Sequence, residues 1–347
     1  MTGTRLAVIA DDLTGALDSA APFALAGLRT LVATSVAQIA PCLALKPEVL
    51  AINLGSREVP VSRAEGLAIE AAEAVADVPQ LFKKIDSRMK GHIVAEVRAI
   101  LARRGGTAIL CPAIPELGRV VVGGHLTGAG VAQPLPVARE DWAAPDAATE
   151  ADLDRIVASA EGALLVGARG LAAALARTMG RQAPSPPVLQ RPLAFVVGSR
   201  DPISLAQVAR LAEALPPLPC PDGEVPPVPH ALFFQATPGP GADGGTVATR
   251  LALGALPHLR ACRSMVLTGG ETAAAVLQAL GVGRLELLGE VATGLPLSRA
   301  LDVPGQPLIV TKSGGFGAED CLLTLFRASA EAPMQPAEIL IPELPHV

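Results

Sequence analysis

Aromatic side chains are nearly absent from this chain, which has seven Phe, one Trp and no Tyr in 347 residues. The stacking platforms of a single-strand nucleic-acid binder are therefore missing, and any core has to be aliphatic. Cysteine is sparse as well. Cys42, Cys111, Cys220, Cys262 and Cys321 are scattered, form no CxxC pair and are odd in number, which argues against a disulfide framework. The five His (His92, His125, His230, His258, His346) show no metal-ligand spacing, so a structural zinc site is not expected. No apolar run reaches the ~18 residues of a membrane span. The opening MTGTRLAVIADD has the pattern of neither a signal nor a transit peptide, so the reducing cytosol is the expected compartment. A formal charge of −5 supplies no global field for DNA or acidic lipid. Neither nucleic acid nor membrane is an expected partner.

Half of the residues are apolar, and they are arranged in short runs that alternate with helical stripes. LAVIA (Leu6–Ala10), TLVAT (Thr30–Thr34), VLAIN (Val49–Asn53), LFKKID (Leu81–Asp86), AILC (Ala108–Cys111) and ALLVGA (Ala163–Ala168) read as buried strands. Between them lie helical segments, one stopping near Gly27 and one from Ser62 with a Ser62/Glu65 capping box. The alternation restarts at LAFVVGS (Leu193–Ser199) and runs to LIVTKSGG. An α/β class follows: two α/β domains with largely parallel sheets and ligands at the carboxyl ends of the strands. The length agrees with two domains. The expected boundaries are 1–180, a Pro-rich linker at 181–192, a second domain at 193–330 and a tail at 331–347. The Pro-rich stretch Pro216–Pro229 reads as a surface loop.

Chemistry-bearing residues gather where these strands end. DDLTG (Asp11–Gly15) joins a strand to a helix, so one reading makes Asp12 or Thr14 a helix cap. The other makes an Asp the group that binds or deprotonates a hydroxyl. FKKIDSRMKGH (Phe82–His92) places Lys84 and Asp86 on one side of a strand, with Ser87 and Arg88 following. A lysine-protected edge strand is its plain alternative. SRE (Ser56–Glu58) offers Arg57 for bidentate pairing with a carboxylate, and CPAIPELGR ends on Arg119, a further anion-binding candidate. In the second half, VGSR (Val197–Arg200), VLTGGET (Val266–Thr272) and TKSGGFG (Thr311–Gly317) are three strand-end turns, two of them rich in glycine. Each can bring backbone N–H groups to phosphate oxygens, and Lys312 adds charge. P-loop and GxGxxG spacings are both missing, which counts against a dinucleotide enzyme.

In order, ADDLTGALD (Ala10–Asp18), KKIDS (Lys83–Ser87), PAIPELGR (Pro112–Arg119), GGET (Gly269–Thr272), GEVATGLPLS (Gly289–Ser298) and TKSGGFG resemble the four-carbon acid sugar kinase family, the kinases of threonate, erythronate and 3-oxo-tetronate. The resemblance runs from Ala10 to about Phe326. It implies an N-terminal sugar-acid domain and a C-terminal nucleotide domain with the site between them. It also implies ATP and Mg²⁺ as cofactors, and a small sugar acid as the partner that receives phosphate. Carried over by position, Asp12 and Asp86 become the catalytic residues. Asp11, Thr14, Gly15, Ser56, Arg57, Lys84, Ser87, Arg88 and Arg119 become the acid-binding set. Ser199, Gly269, Gly270, Glu271, Thr272, Lys312, Gly314 and Gly315 become the ATP-binding set. Metal ligands stay unassigned, and a homodimer is the base-rate expectation. The chain departs from the family in three ways. DSRMKGH stands where DSTLRGN is usual, so Arg88 replaces a small hydroxyl and His92 an Asn. GARG (Gly167–Gly170) replaces a GSAG-like turn. Trimming is expected around 127–145 and 216–230. A non-catalytic sensor of a sugar acid or nucleotide is the alternative from another class.

Overall fold

The computed structural model describes residues 3–180 and 186–331; residues 181–185 of the expected linker and 332–347 of the expected tail lie outside them. The first half runs β1 (Leu6–Ala10), α1 (Leu13–Leu25), β2 (Thr30–Ala33), α2 (Ile39–Ala44), β3 (Val49–Asn53), α3 (Val61–Ala74), β4 (Gln80–Lys84), α4 (Ile93–Arg104) and β5 (Ala108–Cys111). A small antiparallel sheet of β6 (Arg119–Val122), β7 (His125–Gly128) and β8 (Leu135–Pro136) follows, then α5 (Glu150–Ala158), β9 (Leu164–Gly167) and α6 (Arg169–Met179). The second half runs β10 (Leu193–Val197), α7 (Pro202–Ala212), β11 (Leu218–Pro221), β12 (Phe233–Thr237), α8 (Gly244–Leu259), β13 (Ser264–Thr268) and α9 (Gly270–Ala279). It ends with β14 (Arg284–Ala292), β15 (Leu295–Ala300), β16 (Leu308–Lys312) and α10 (Cys321–Ala328).

The α/β class and the largely parallel pairing are as expected. All five residues of β1 are fully buried, as a central parallel strand covered on both faces requires. The two halves do not keep separate sheets. Thirteen strands form one sheet in the order β11-β12-β10-β13-β16-β15-β14-β2-β3-β1-β4-β9-β5. Only the pairings β16–β15, β15–β14 and β14–β2 are antiparallel. The seam pairs Leu285 with Val32 and Leu287 with Thr30.

Register explains why separate motifs converge. Ala10 at the end of β1 lies opposite Asn53 of β3 and Lys84 of β4, so the loops after all three strands emerge side by side. In the second half Thr268 of β13 lies opposite Val197 and Lys312, which aligns the other three loops.

Two local expectations are corrected. α3 begins at Val61 after Pro60, with no side-chain cap. Ser62 therefore lies inside the first turn, and the Ser62/Glu65 box does not form. Proline is at home just outside a helix start, where no N–H is needed. The stretch Pro216–Pro229 is not all loop, because it contains β11. That strand sits at the outer edge of the sheet and pairs only with β12, the position where Pro219 and Pro221 leave no ladder bond unmade. Gly27 does follow the end of α1, with φ of 79°. No helix among the described residues is long and apolar enough to cross a membrane.

Candidate active site

A cleft of about 630 Å³ opens where the two sets of loops face each other. From the first half it is lined by Asp12, Thr14, Gly15, Asp18, Arg57, Lys84, Asp86, Ser87, Arg88 and Arg119. From the second half come Ser199, Gly269, Gly270, Glu271, Thr272, Gly314 and Gly315. Most of the expected residues thus meet in one place.

The acid side is organised around Arg57. Its Nε and Nη2 donate to the two oxygens of Asp11 at 2.7 and 3.0 Å, and Nη1 donates to Asp12 Oδ2 at 2.9 Å. Asp86 Oδ2 lies 3.8 Å from Nη1. Burial acts to raise the Asp11 carboxyl, but the Arg57 bonds and the charges of Lys83 and Lys84 hold it below its usual range. Asp11 is buried beneath the cleft, so its task is to fix Arg57. Asp12 is the α1 cap, accepting Gly15 N–H at 2.9 Å and the Thr14 hydroxyl at 2.8 Å. The capping reading of Asp12 therefore holds, and the same residue lines the cleft. Asp86 lies just past β4, and its Oδ1 accepts the backbone N–H of Arg88 at 2.8 Å. Arg119 donates to Ser87 Oγ at 2.6 Å and twice to the Ala129 carbonyl, at 2.9 and 2.7 Å. Arg88 has no ion-pair or side-chain hydrogen-bond partner among the described residues. Burial and then the Arg88 charge push the Arg119 guanidinium below its usual value. Two guanidiniums with no carboxylate bound to them thus stand at this end of the cleft.

Ser56 is buried and donates to Glu96, which also pairs with Lys83 Nζ at 2.6 Å. It supports the site from below and does not line it. Lys312 also turns away from the cleft. Its ammonium donates to Ser204 Oγ at 3.3 Å and to the carbonyls of Ser313, Gly314 and Phe316 at 3.0–3.1 Å, so it braces the glycine loop. That loop is packed tightly on its neighbour, because a Cβ at Gly314 would lie 2.3 Å from Ser199 Oγ. A Gly314→Ala variant should lose the thermal stabilisation that wild type gains from ATP while keeping the fold. An ATP-induced melting shift equal to that of wild type would show that this loop does not carry the nucleotide.

Three contributors were not anticipated. PGPGADGG after β12 is a further glycine-rich strand-end loop; it leads Gly244, Val247 and Ala248 of α8 into the cleft. Its composition was a usable signal. Asp18 lies one helical turn beyond Thr14, a spacing that places both on one face, and burial raises its carboxyl above the ordinary value despite nearby Arg169 and Lys84. Arg169, from the GARG departure, is buried at the seam. It donates to Glu290 Oε1 and Oε2 of β14 at 2.6 and 3.0 Å, to Asp18 Oδ1 at 3.1 Å and to Glu116 Oε1 at 3.1 Å. This one guanidinium ties both halves together, and no local pattern marks it.

The fold and cleft define a two-part α/β protein with an arginine-lined half and a glycine-loop half. Residues 6–140 match the sugar-binding N-terminal domain family and residues 228–322 the nucleotide-binding C-terminal domain family. The chain belongs to the four-carbon acid sugar kinase family. It is 31% identical to a D-threonate kinase of Cupriavidus necator over 94% of this chain and 98% of that one. A D-threonate kinase of Bordetella bronchiseptica is also 31% identical, over 95% and 99%. A 3-oxo-tetronate kinase of Burkholderia multivorans is 29% identical, over 93% and 97%. Among solved structures, a Salmonella typhimurium LT2 protein superposes with a TM-score of 0.75 at 20% identity, over 94% of this chain and 99% of that one. Haemophilus influenzae protein HI1011 does so at 0.68 and 20% identity, over 92% and 99%. These two likenesses speak for the fold.

Proposed function

We propose that this chain is a cytoplasmic kinase that transfers the γ-phosphoryl group of ATP to a hydroxyl of a small, four-carbon sugar acid of the threonate, erythronate or 3-oxo-tetronate type. One observation carries the reading: the anion-receiving loops and the glycine loops face each other across a single cleft, with a Cβ at Gly270 only 3.4 Å from Thr14 Oγ1. Donor and acceptor sites are thus in contact. Residues 1–180 form the acid domain and 193–330 the nucleotide domain in this reading.

Arg88, Arg119 and Ser87 hold the carboxylate and hydroxyls of the acid. Arg57, fixed from below by Asp11, positions Asp12. Asp86 or Asp12 orients the attacking hydroxyl and accepts its proton. Ser199, Gly269–Thr272 and Gly314–Gly315 receive the phosphates of ATP through backbone N–H groups. Phosphoryl transfer asks the protein mainly for positioning and charge neutralisation, which these parts supply. Among the described residues no three His, Cys, Asp or Glu side chains gather as a metal cage. A Mg²⁺ carried by the phosphates needs only one or two protein carboxylates. Glu271 lines the cleft and is the residue that would hold it. When bound, the ion neutralises phosphate charge.

The test is ADP release from Mg²⁺–ATP across three- to six-carbon sugar acids, including threonate, erythronate and glycerate. Acid-dependent release is the expected result. Acid or ATP binding without release by any acid would make the chain a sensor.

A further inference from the structure

Lys84 is the cleft-lining lysine, and its surroundings are unusual for a charged group. It is only 5% exposed, and its ammonium makes no hydrogen bond or close ion pair among the described residues, its charge being met at longer range by the carboxylates of Asp11 and Asp18. Carboxylates that do not touch it leave the N–H groups of the buried ammonium unsatisfied, and an anion entering the cleft can meet them. Its near neighbours show where that anion comes. A Cβ at Gly15 would lie 2.8 Å from Lys84 Nζ and 2.4 Å from Asp12 Oδ1, so the charge sits against the first turn of α1, beside the Asp12 carboxylate. Thr14, the preceding residue, is the one that touches the place of a Gly270 side chain. The ammonium therefore lies at the junction of the two loop sets, beside the N-terminus of α1. The guanidiniums suited to a carboxylate, Arg88 and Arg119, belong to the loops after β4 and at β6. The charge usually offered to phosphate from a glycine loop, that of Lys312, is occupied by its own loop.

We infer that Lys84 contacts the phosphoryl group in transit, and not the carboxylate of the acid. This rests on the kinase reading above and assigns the buried charge within it. In the transfer, the acceptor oxygen bonds to the γ-phosphorus as the bond from that phosphorus to the β–γ bridging oxygen breaks. The electron pair leaves with ADP, and the hydroxyl proton passes to Asp86 or Asp12. Lys84 meets the peripheral oxygens of the moving group, where a fixed, partly desolvated cation stabilises charge without reorganising.

Lys84→Met and Lys84→Arg variants test this with two readouts. Steady-state kinetics of Lys84→Met should show kcat lowered by about 100-fold or more with the KM for the acid within a few-fold of wild type, and Lys84→Arg should recover part of kcat. Thermal shifts give the second readout, which needs no turnover. Wild type should be stabilised more by Mg²⁺–ATP than by Mg²⁺–ADP, and Lys84→Met should lose that difference. A kcat close to wild type with an acid KM raised tenfold or more would overturn the inference and return Lys84 to the carboxylate. An unchanged ATP-over-ADP difference would overturn it as well. If wild type releases no ADP with any acid, the kinase reading itself fails and this assignment falls with it. A misfolded Lys84→Met would show as a lowered melting temperature without ligand, and Lys84→Arg, which keeps the charge, then carries the comparison: its ATP-over-ADP difference should persist, and its loss would overturn the inference.

Discussion

An Asp86→Asn variant should turn over at least ~100-fold more slowly than wild type, the scale expected for loss of a positioned proton acceptor, with little change in melting temperature. The reason lies in its two oxygens. Oδ1 is held by backbone N–H groups of Arg88 and Lys90, at 2.8 and 3.5 Å, so the carboxylate is fixed in place. Oδ2 faces the cleft with Arg57 3.8 Å away and keeps a lone pair for an acceptor hydroxyl. Asp12→Asn should slow turnover by a similar factor but through a different balance. Both Asp12 oxygens already accept bonds, from Gly15, Thr14 and Arg57; Asn caps a helix as well as Asp does, so the stability lost is that of the Arg57 pair. A melt of each variant beside its kcat separates the two. Near-wild-type turnover in both would remove these aspartates from the chemistry altogether.

A Lys83→Met variant should lose roughly 3–5 kcal/mol of folding stability, the range for breaking a buried ion pair by deleting one partner. Lys83 and Glu96 are both essentially inaccessible to solvent, with Nζ 2.6 Å from Oε2. Removing the ammonium strands a carboxylate beneath the acid loops, in contact only with the Ser56 hydroxyl and what remains of its surroundings. The double variant Lys83→Met/Glu96→Leu should recover most of the loss, because an apolar pair of matching volume avoids the desolvation cost. Urea midpoints at equal slope give the comparison. A loss below about 1 kcal/mol in the single variant would contradict a buried, water-excluded pair.

The elements most legible from sequence were those with local signals. Apolar runs of strand length, punctuated by glycine and acidic turns, located the strands at Leu6–Ala10, Val49–Asn53 and Leu308–Lys312 closely. Lys84 and Asp86, expected to share one side of a strand, both line the cleft, although β4 ends at Lys84 and Asp86 lies two residues beyond it. What stayed hidden depends on distance in three dimensions. Whether a lysine at a strand end points into a cleft or folds back onto carbonyls, as Lys312 does, is decided by the neighbouring loop. Arg169 draws its partners from α1, the Glu116 turn and β14, which no window of sequence brings together. The Ser62/Glu65 pattern failed because Pro60, two residues earlier, set the helix start.

The seam between β2 and β14 bears on how the chain is made. The first half is synthesised with β2 as an open edge, since its partner residues 284–287 come some 250 positions later. Until they emerge from the ribosome, Thr30–Ala33 present unpaired N–H and C=O groups, the feature by which sheets pair with unintended neighbours. An N-terminal half produced alone would keep that edge indefinitely and should self-associate. Completion of the second half is thus what closes the first.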